Sequence, residues 1–267
     1  EKGIALYMEA AKILKAKYWA GLHKYRPIII ENIQNDLNTI EDSLLHRELV
    51  KNSLTVIKDK SGDVPIRDLE KRKIAYVQLG DASGNYFVNM LQNYTQVDVI
   101  SSKNLEGIIK KLQPYNLVII GFHKSNSNPW KSYKFSNKEL VWLREIARAK
   151  EVVLDVFTSP YSLLQVKKIK NIEAIVVSYQ NSKVAQELSA QLIFGAFGAR
   201  GKLPVSIKNK FSEGQGLTTS ELSRLGYTIP EAVHLSSKKL EKIDSLASII
   251  LEKKNGSGVS SFSCKEF

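Results

Sequence analysis

Ile74-Ala75-Tyr76-Val77-Gln78-Leu79 and Leu117-Val118-Ile119-Ile120-Gly121-Phe122 are two runs of strand length, apolar almost throughout. A strand with one wet face alternates polar and apolar residues, whereas a run without alternation is covered on both faces. Val152–Phe157 and Ile172–Tyr179 share this character, and Val97–Ile100 adds a shorter strand. Helical stretches fall between them: one ending near Asn93, then Leu105–Leu112, Asn137–Ala149, one opened by Pro160, and Ser182–Phe194. Ser136 and Glu139 have capping-box spacing, in which each side chain satisfies an orphan backbone N–H at the helix start. Pro160 suits a first helical turn. Leu203–Ile207 closes the series as a short strand.

Strand and helix thus alternate five times over short connections, and right-handed crossovers place helices on both sides of the sheet. The expected fold is α/β: a doubly wound, mostly parallel sheet in a flavodoxin-like three-layer sandwich, with helical extensions at both ends. Working outward, Ile4, Leu6, Tyr7, Ala10, Ala11, Ile13 and Leu14 recur at helical steps, predicting a helix over 4–22 that stops at Gly21. Pro27 marks a break, a second helix runs from about Asp36 or Ile40 to Lys51, and Leu54–Lys58 forms a strand. Beyond Ile207, Lys208–Arg224 is polar and reads as a loop or linker, followed by a helix over Ser237–Lys253. Residues 255–267 lack periodicity and are expected to be disordered or foreign to the natural protein. The expected divisions are 1–53, 54–207, 208–254 and 255–267.

The 267 residues are 43% hydrophobic and 25% charged, the composition of a chain that builds a sizeable core. No run approaches the roughly 20 apolar residues of a spanning helix. With one cysteine, Cys264, neither a disulfide framework nor a cysteine metal site is expected. The chain starts at Glu1 rather than Met, so any leader would have been lost with the natural start. Net charge is +12, but lysines such as Lys167, Lys168, Lys238 and Lys239 are scattered without the interleaved aromatics of a stacking platform. A solvated basic surface is the reading, with no nucleic-acid partner.

Motifs that carry chemistry are incomplete. Gly80-Asp81-Ala82-Ser83-Gly84-Asn85 has alanine and asparagine where the dinucleotide fingerprint needs its second and third glycines. Gly201-Lys202 lacks the upstream glycine and the following Ser or Thr of a phosphate loop, with Ala196 and Leu203 in those places. Ser236-Ser237-Lys238-Lys239 matches a serine-hydrolase nucleophile pattern, yet sits where a helix begins and reads as an N-cap. His23, His46, His123 and His234 have no partners at metal-ligand spacing, so no metal and no cofactor are expected. The candidates cluster by position: Asp81, Ser83, His123, Lys124 and Trp130, with Asn126, Ser159, Tyr179 and Gln180, follow the carboxyl ends of strands, where ligand crevices form in such sheets. Polar groups and a tryptophan on such loops can line a sugar site, because aromatic faces stack on pyranose rings, although His123 reads more simply as a loop histidine in solvent. Most glycosidases need two carboxylates about 5 to 10 Å apart. Only Asp81 and Asp155 lie near, and Asp155, inside a strand, reads as buried and hydrogen-bonded.

Several segments together resemble the C-terminal domain of glycoside hydrolase family 3. Ala196-Phe197-Gly198-Ala199-Arg200-Gly201-Lys202-Leu203-Pro204-Val205-Ser206-Ile207 is similar to the family's Gly-Lys-Leu-Pro-Val-(Ser/Thr)-Ile closing strand, after a fitting Ala190–Gly195. Ile13–Lys17 with Gly21-Leu22 resembles the helix ending the family's barrel, Val50–Asp59 the entry to its second domain, and Pro160–Leu163 a loop of that domain. Gly226–Lys253 resembles the lead-in to the β-lactamase-like serine hydrolase domain appended to bacterial β-N-acetylhexosaminidase-like members. The resemblance implies a parent enzyme of carbohydrate metabolism that hydrolyses terminal β-linked sugars, with a nucleophilic aspartate on a barrel outside this chain. Hexosaminidase-type members also take their acid/base from the barrel, and no counterpart of the glutamate used by glucosidase-type members is found here. No catalytic residue is therefore expected in this chain. Its expected partners are the barrel of the same polypeptide and, through it, a glycan; bacterial periplasm or envelope is favoured over cytoplasm. The rival readings are a flavodoxin-like carbohydrate- or nucleotide-binding module and a standalone enzyme using Asp81 and His123.

Overall fold

The computed structural model describes residues 2–27, 29–128 and 130–252. The chain divides into two compact units, 1–43 and 44–267. In the first, helix α1 (Lys2–Trp19) ends as Gly21 turns left-handed at φ 75°. A short α2 (Ile33–Asp36) follows. Thr39 and Asp42 then cap α3 (Ile40–Ser53): the Asp42 carboxylate accepts from the Thr39 N–H at 3.1 Å, and the Thr39 hydroxyl accepts from the Asp42 N–H at 3.1 Å.

The second unit is built on six strands: β1 (Thr55–Asp59), β2 (Ile74–Gly80), β3 (Val97–Val99), β4 (Leu117–His123), β5 (Glu151–Phe157) and β6 (Ala174–Val177). Their spatial order is β1-β6-β5-β4-β2-β3, parallel except for β1 against β6. The sequence order therefore reverses between β2 and β4, as it does in doubly wound sheets. The period-2 pleat divides the apolar runs between two cores. Tyr76, Leu117 and Ile119 face one core with α4 (Asn85–Gln92) and α7 (Lys183–Ile193). Val77, Val118, Ile120 and Phe122 face the other with α5 (Leu105–Lys111) and α6 (Asn137–Ala149). Each large side chain fully buried there contributes roughly 1.5–3 kcal/mol. Ser136 and Glu139 form the expected capping box, and Asn104 and Ser182 cap α5 and α7.

Three segments differ from expectation. The crossover from β5 to β6 contains no α-helix, only 3-10 turns at Pro160–Gln165 and Ile169–Asn171. Lysine ammoniums cap the open carbonyls of these turns. Lys210 Nζ donates to the carbonyls of Leu163, Leu164 and Val166, and Lys58 Nζ to those of Ile169 and Ile172. Leu203–Ile207 joins no strand of the sheet, because β1 already occupies the edge beside β6 and Pro204 has no N–H to give to a ladder. Leu203 and Ile207 instead bury themselves in the second core, pairing locally with Gln215 and Phe211. Residues 208–224 carry no regular structure, yet they are tied down. The Leu217 N–H donates to the Val56 carbonyl at 2.7 Å, and Arg224 Nη1 donates to the carbonyls of Ile66 and Phe194. Helix α8 (Ser237–Glu252) closes the described chain; the expected tail, 255–267, lies outside the described residues. Among the described residues no helix is long and apolar enough to cross a membrane.

Candidate functional site

β2, β4 and β5 end in register, with Gly80 opposite His123 and His123 opposite Phe157. The loops after these strands share one edge of the sheet. Asp81 and Lys124 meet there as an ion pair at 3.4 Å, and Lys124 also lies over the Phe122 ring. Ser83 caps its own turn through the Asn85 N–H. Trp130 is 90% exposed on the β4–α6 loop. A cleft of about 400 Å³ opens beyond β6, lined by Asn52, Ser53, Tyr179, Gln180, Lys202 and Pro204. Tyr179 holds a left-handed φ of 60°, a strained conformation for its type. Its hydroxyl lies 2.7 Å from that of Thr55.

His123 departs from the solvent-loop reading. It is the last residue of β4 and fully buried, its ring stacked on Phe157 at 4.3 Å. Nδ1 lies 2.7 Å from Asn181 Oδ1, and Nε2 lies 2.9 Å from the Tyr76 hydroxyl. An amide oxygen only accepts, so Nδ1 carries the proton and the Tyr76 hydroxyl donates to Nε2. Asn181 donates in turn to the Ser83 carbonyl, takes a second bond from Gln186, and has its own N–H held by Asn126. One polar network, buried at His123 and Tyr76 and reaching the surface at Ser83 and Asn126, therefore joins the turns after β2, β4 and β6. Burial pulls the His123 imidazole down to about 4, against the Asn181 hydrogen bond. Burial likewise raises the Tyr76 phenol. Both are neutral near pH 7, and both are enclosed. A Cβ built on Gly84 would lie 2.6 Å from His123 Nε2 and from the Tyr76 oxygen, so no substrate atom fits beside them. The rival reading of an enzyme using Asp81 and His123 finds no support here: the histidine faces inward and the aspartate outward onto Lys124.

Asp155 is buried and hydrogen-bonded, as its strand position predicts. The Ser178 hydroxyl lies 2.7 Å from Oδ1, and the Ser189 hydroxyl bonds the other oxygen. Burial pushes its carboxyl up to about 7, partly offset by these hydroxyls. Glu139, the remaining carboxylate at this edge, spends one oxygen on the Gly80 N–H and the other on the Ser136 N–H. No carboxylate pair is free for acid–base work among these groups.

The first βα turn is equally closed to a phosphate, which such folds hold on free backbone amides. The N–H of Gly80 goes to Glu139, those of Asp81 and Ala82 to the His123 carbonyl, and that of Gly84 to Gln78. At the start of α8, Ser236 accepts from the Lys239 N–H and Ser237 is held by Glu231, the N-cap arrangement expected of that serine–lysine pattern. No group of three or more potential metal ligands occurs among the described residues. Sequence reasoning missed Tyr76, Asn181 and Gln186. Asn181 follows the flagged Gln180 at a strand's carboxyl end and was legible by position; the pairing of Tyr76 with His123 was not.

No protein-family model and no curated protein sequence match the chain. Solved structures do. A fungal multi-domain GH3 β-N-acetylglucosaminidase with a glucosamine N-acetyltransferase region aligns at 18% identity and TM-score 0.54, over 85% of this chain and 25% of its own. A β-glucosidase from Listeria innocua aligns at 19% identity and TM-score 0.56, over 73% of this chain and 31% of its own. A GH3 β-N-acetylglucosaminidase from Paenibacillus aligns at 13% identity and TM-score 0.51, over 74% of this chain and 38% of its own. The likeness is one of fold, and the chain spans between a quarter and two fifths of the length of these glycosidases.

Proposed function

We propose that this chain is the α/β domain of a family 3 glycoside hydrolase, a domain that supplies no catalytic group and shapes the active site of a barrel domain in the same polypeptide. The carrying observation is the edge of the sheet: every buried ionisable group there is already bonded within the protein, while the outward groups offer contact without chemistry. Asp81, Ser83, Lys124 and Trp130, with the cleft beyond β6, form the face turned toward the barrel and its sugar. His123 acts from behind, holding the three turns in place. The fold shared with glycosidases several times longer supports this reading, as do the motifs at 196–207. Residues 1–53 then lead in from the barrel, 54–207 form the domain, and 208–254 lead toward a β-lactamase-like module. The parent acts on terminal β-linked amino sugars, as a β-N-acetylhexosaminidase. Incubating this chain alone with nitrophenyl N-acetyl-β-glucosaminide and nitrophenyl β-glucoside gives no release of nitrophenol. Turnover that survives purification would overturn the proposal.

A further inference from the structure

In the layer that carries α5 and α6, the crossover between β5 and β6 supplies two 3-10 turns where the other crossovers supply a helix. A groove of about 270 Å³ lies between α6 and these turns. Its floor is apolar and already part of the core: Leu143, Ala147, Val166 and Ile172 are all nearly buried. Its rim is cationic. Lys167 and Lys168 line it and make no ion pair among the described residues, whereas Arg144 is tied to Glu145. Gln165 lines it too, with its Oε1 shielded from solvent and accepting no hydrogen bond. A buried acceptor without a donor costs about 1–3 kcal/mol and rarely persists without a reason.

We propose that this groove is a binding site for a small amphipathic anion: one or two apolar rings, an N–H or O–H donor, and a carboxylate. Volume selects the size, because the cavity falls just below the roughly 300–1,000 Å³ of pockets for drug-sized ligands, and a helix about 10 Å across would not enter it. The floor takes the rings. Gln165 takes the donor once its amide turns, and Lys167 and Lys168 take the carboxylate. None of Asp81, Ser83, His123, Lys124 and Trp130 lines the groove, and the proposal stands independently of the glycosidase reading.

Titrating the isotope-labelled full chain with indole-3-acetate tests this by NMR, with neutral indole-3-acetamide as the control. The expected shifts are confined to 140–147 and 165–172, with a dissociation constant on the order of a millimolar for about a dozen non-hydrogen atoms. Reversing both exposed charges (Lys167→Glu with Lys168→Glu) weakens indole-3-acetate roughly tenfold and leaves the amide unchanged. Gln165→Leu weakens both probes. Saturating probe without shifts in these segments overturns the proposal, as does a double variant that treats the acid and the amide alike.

Discussion

Replacing Asp155 with Asn removes a titration without changing shape, and its effect on stability has a calculable pH dependence. In the unfolded chain the carboxyl titrates near 3.8; in the folded protein burial raises it to about 7. The folded state therefore holds a proton that the unfolded chain gives up, so native stability falls as pH rises through this window. At about 1.4 kcal/mol per pH unit, the loss reaches about 4 kcal/mol above pH 7. His123 works in the opposite sense. Its pKa drops from 6.5 to about 4 on folding, so the unfolded chain takes up the proton first, and stability rises by about 3 kcal/mol between pH 4 and 6.5. In the parent protein the two contributions nearly cancel over that range, and Asp155→Asn exposes the histidine limb. Urea unfolding followed by far-UV circular dichroism from pH 4.5 to 8.5 reads the difference. The variant gains on the parent as pH rises, most of it before pH 7, and the gain then levels off. Parallel curves, or a variant that gains as pH falls, would show that Asp155 is ionised inside the fold and refute the reasoning.

Gly121→Ala places a Cβ against His123 Nε2 and 2.8 Å from the Tyr76 oxygen. A loss of about 1–3 kcal/mol is expected by thermal unfolding. Lys210→Met keeps the aliphatic stem but uncaps three carbonyls. It should cost about 1.5–3 kcal/mol and speed amide hydrogen exchange across 160–172. Glu139→Ala frees the N–H groups of Ser136 and Gly80 together. The expected cost is about 1–2 kcal/mol, with faster exchange at both amides and unchanged exchange in α7.

What the sequence made legible is whatever depends on local pattern. The doubly apolar runs predicted the covered sheet, and Ser136 with Glu139 predicted a helix start, because both signals are complete within a few residues. Pro160 misled, since it fits the first turn of a 3-10 segment as well as that of an α-helix. The carbonyls that the 3-10 turns leave open are bonded by Lys210 and Lys58, far away in the chain. Leu203–Ile207 misled for a similar reason: β composition makes a strand only where a sheet edge is free, and β1 had taken it. His123 was rightly placed at the carboxyl edge, but which way its ring turns depends on Phe157 stacking over it and on Asn181 and Tyr76 meeting its nitrogens. No pattern around residue 123 encodes those partners.

The antiparallel strand β1 has a consequence for biosynthesis. It pairs with β6 on one side and meets Leu217 on the other, so both of its neighbours are made long after it. The parallel strands can assemble in order as they leave the ribosome, while Thr55–Asp59 waits unpaired for Ala174–Val177. Closing such a distant contact is slow. The β1 ladder can therefore close only after Ala174–Val177 has been made, and a chain halted before Leu217 would leave the outer side of β1 without its partner.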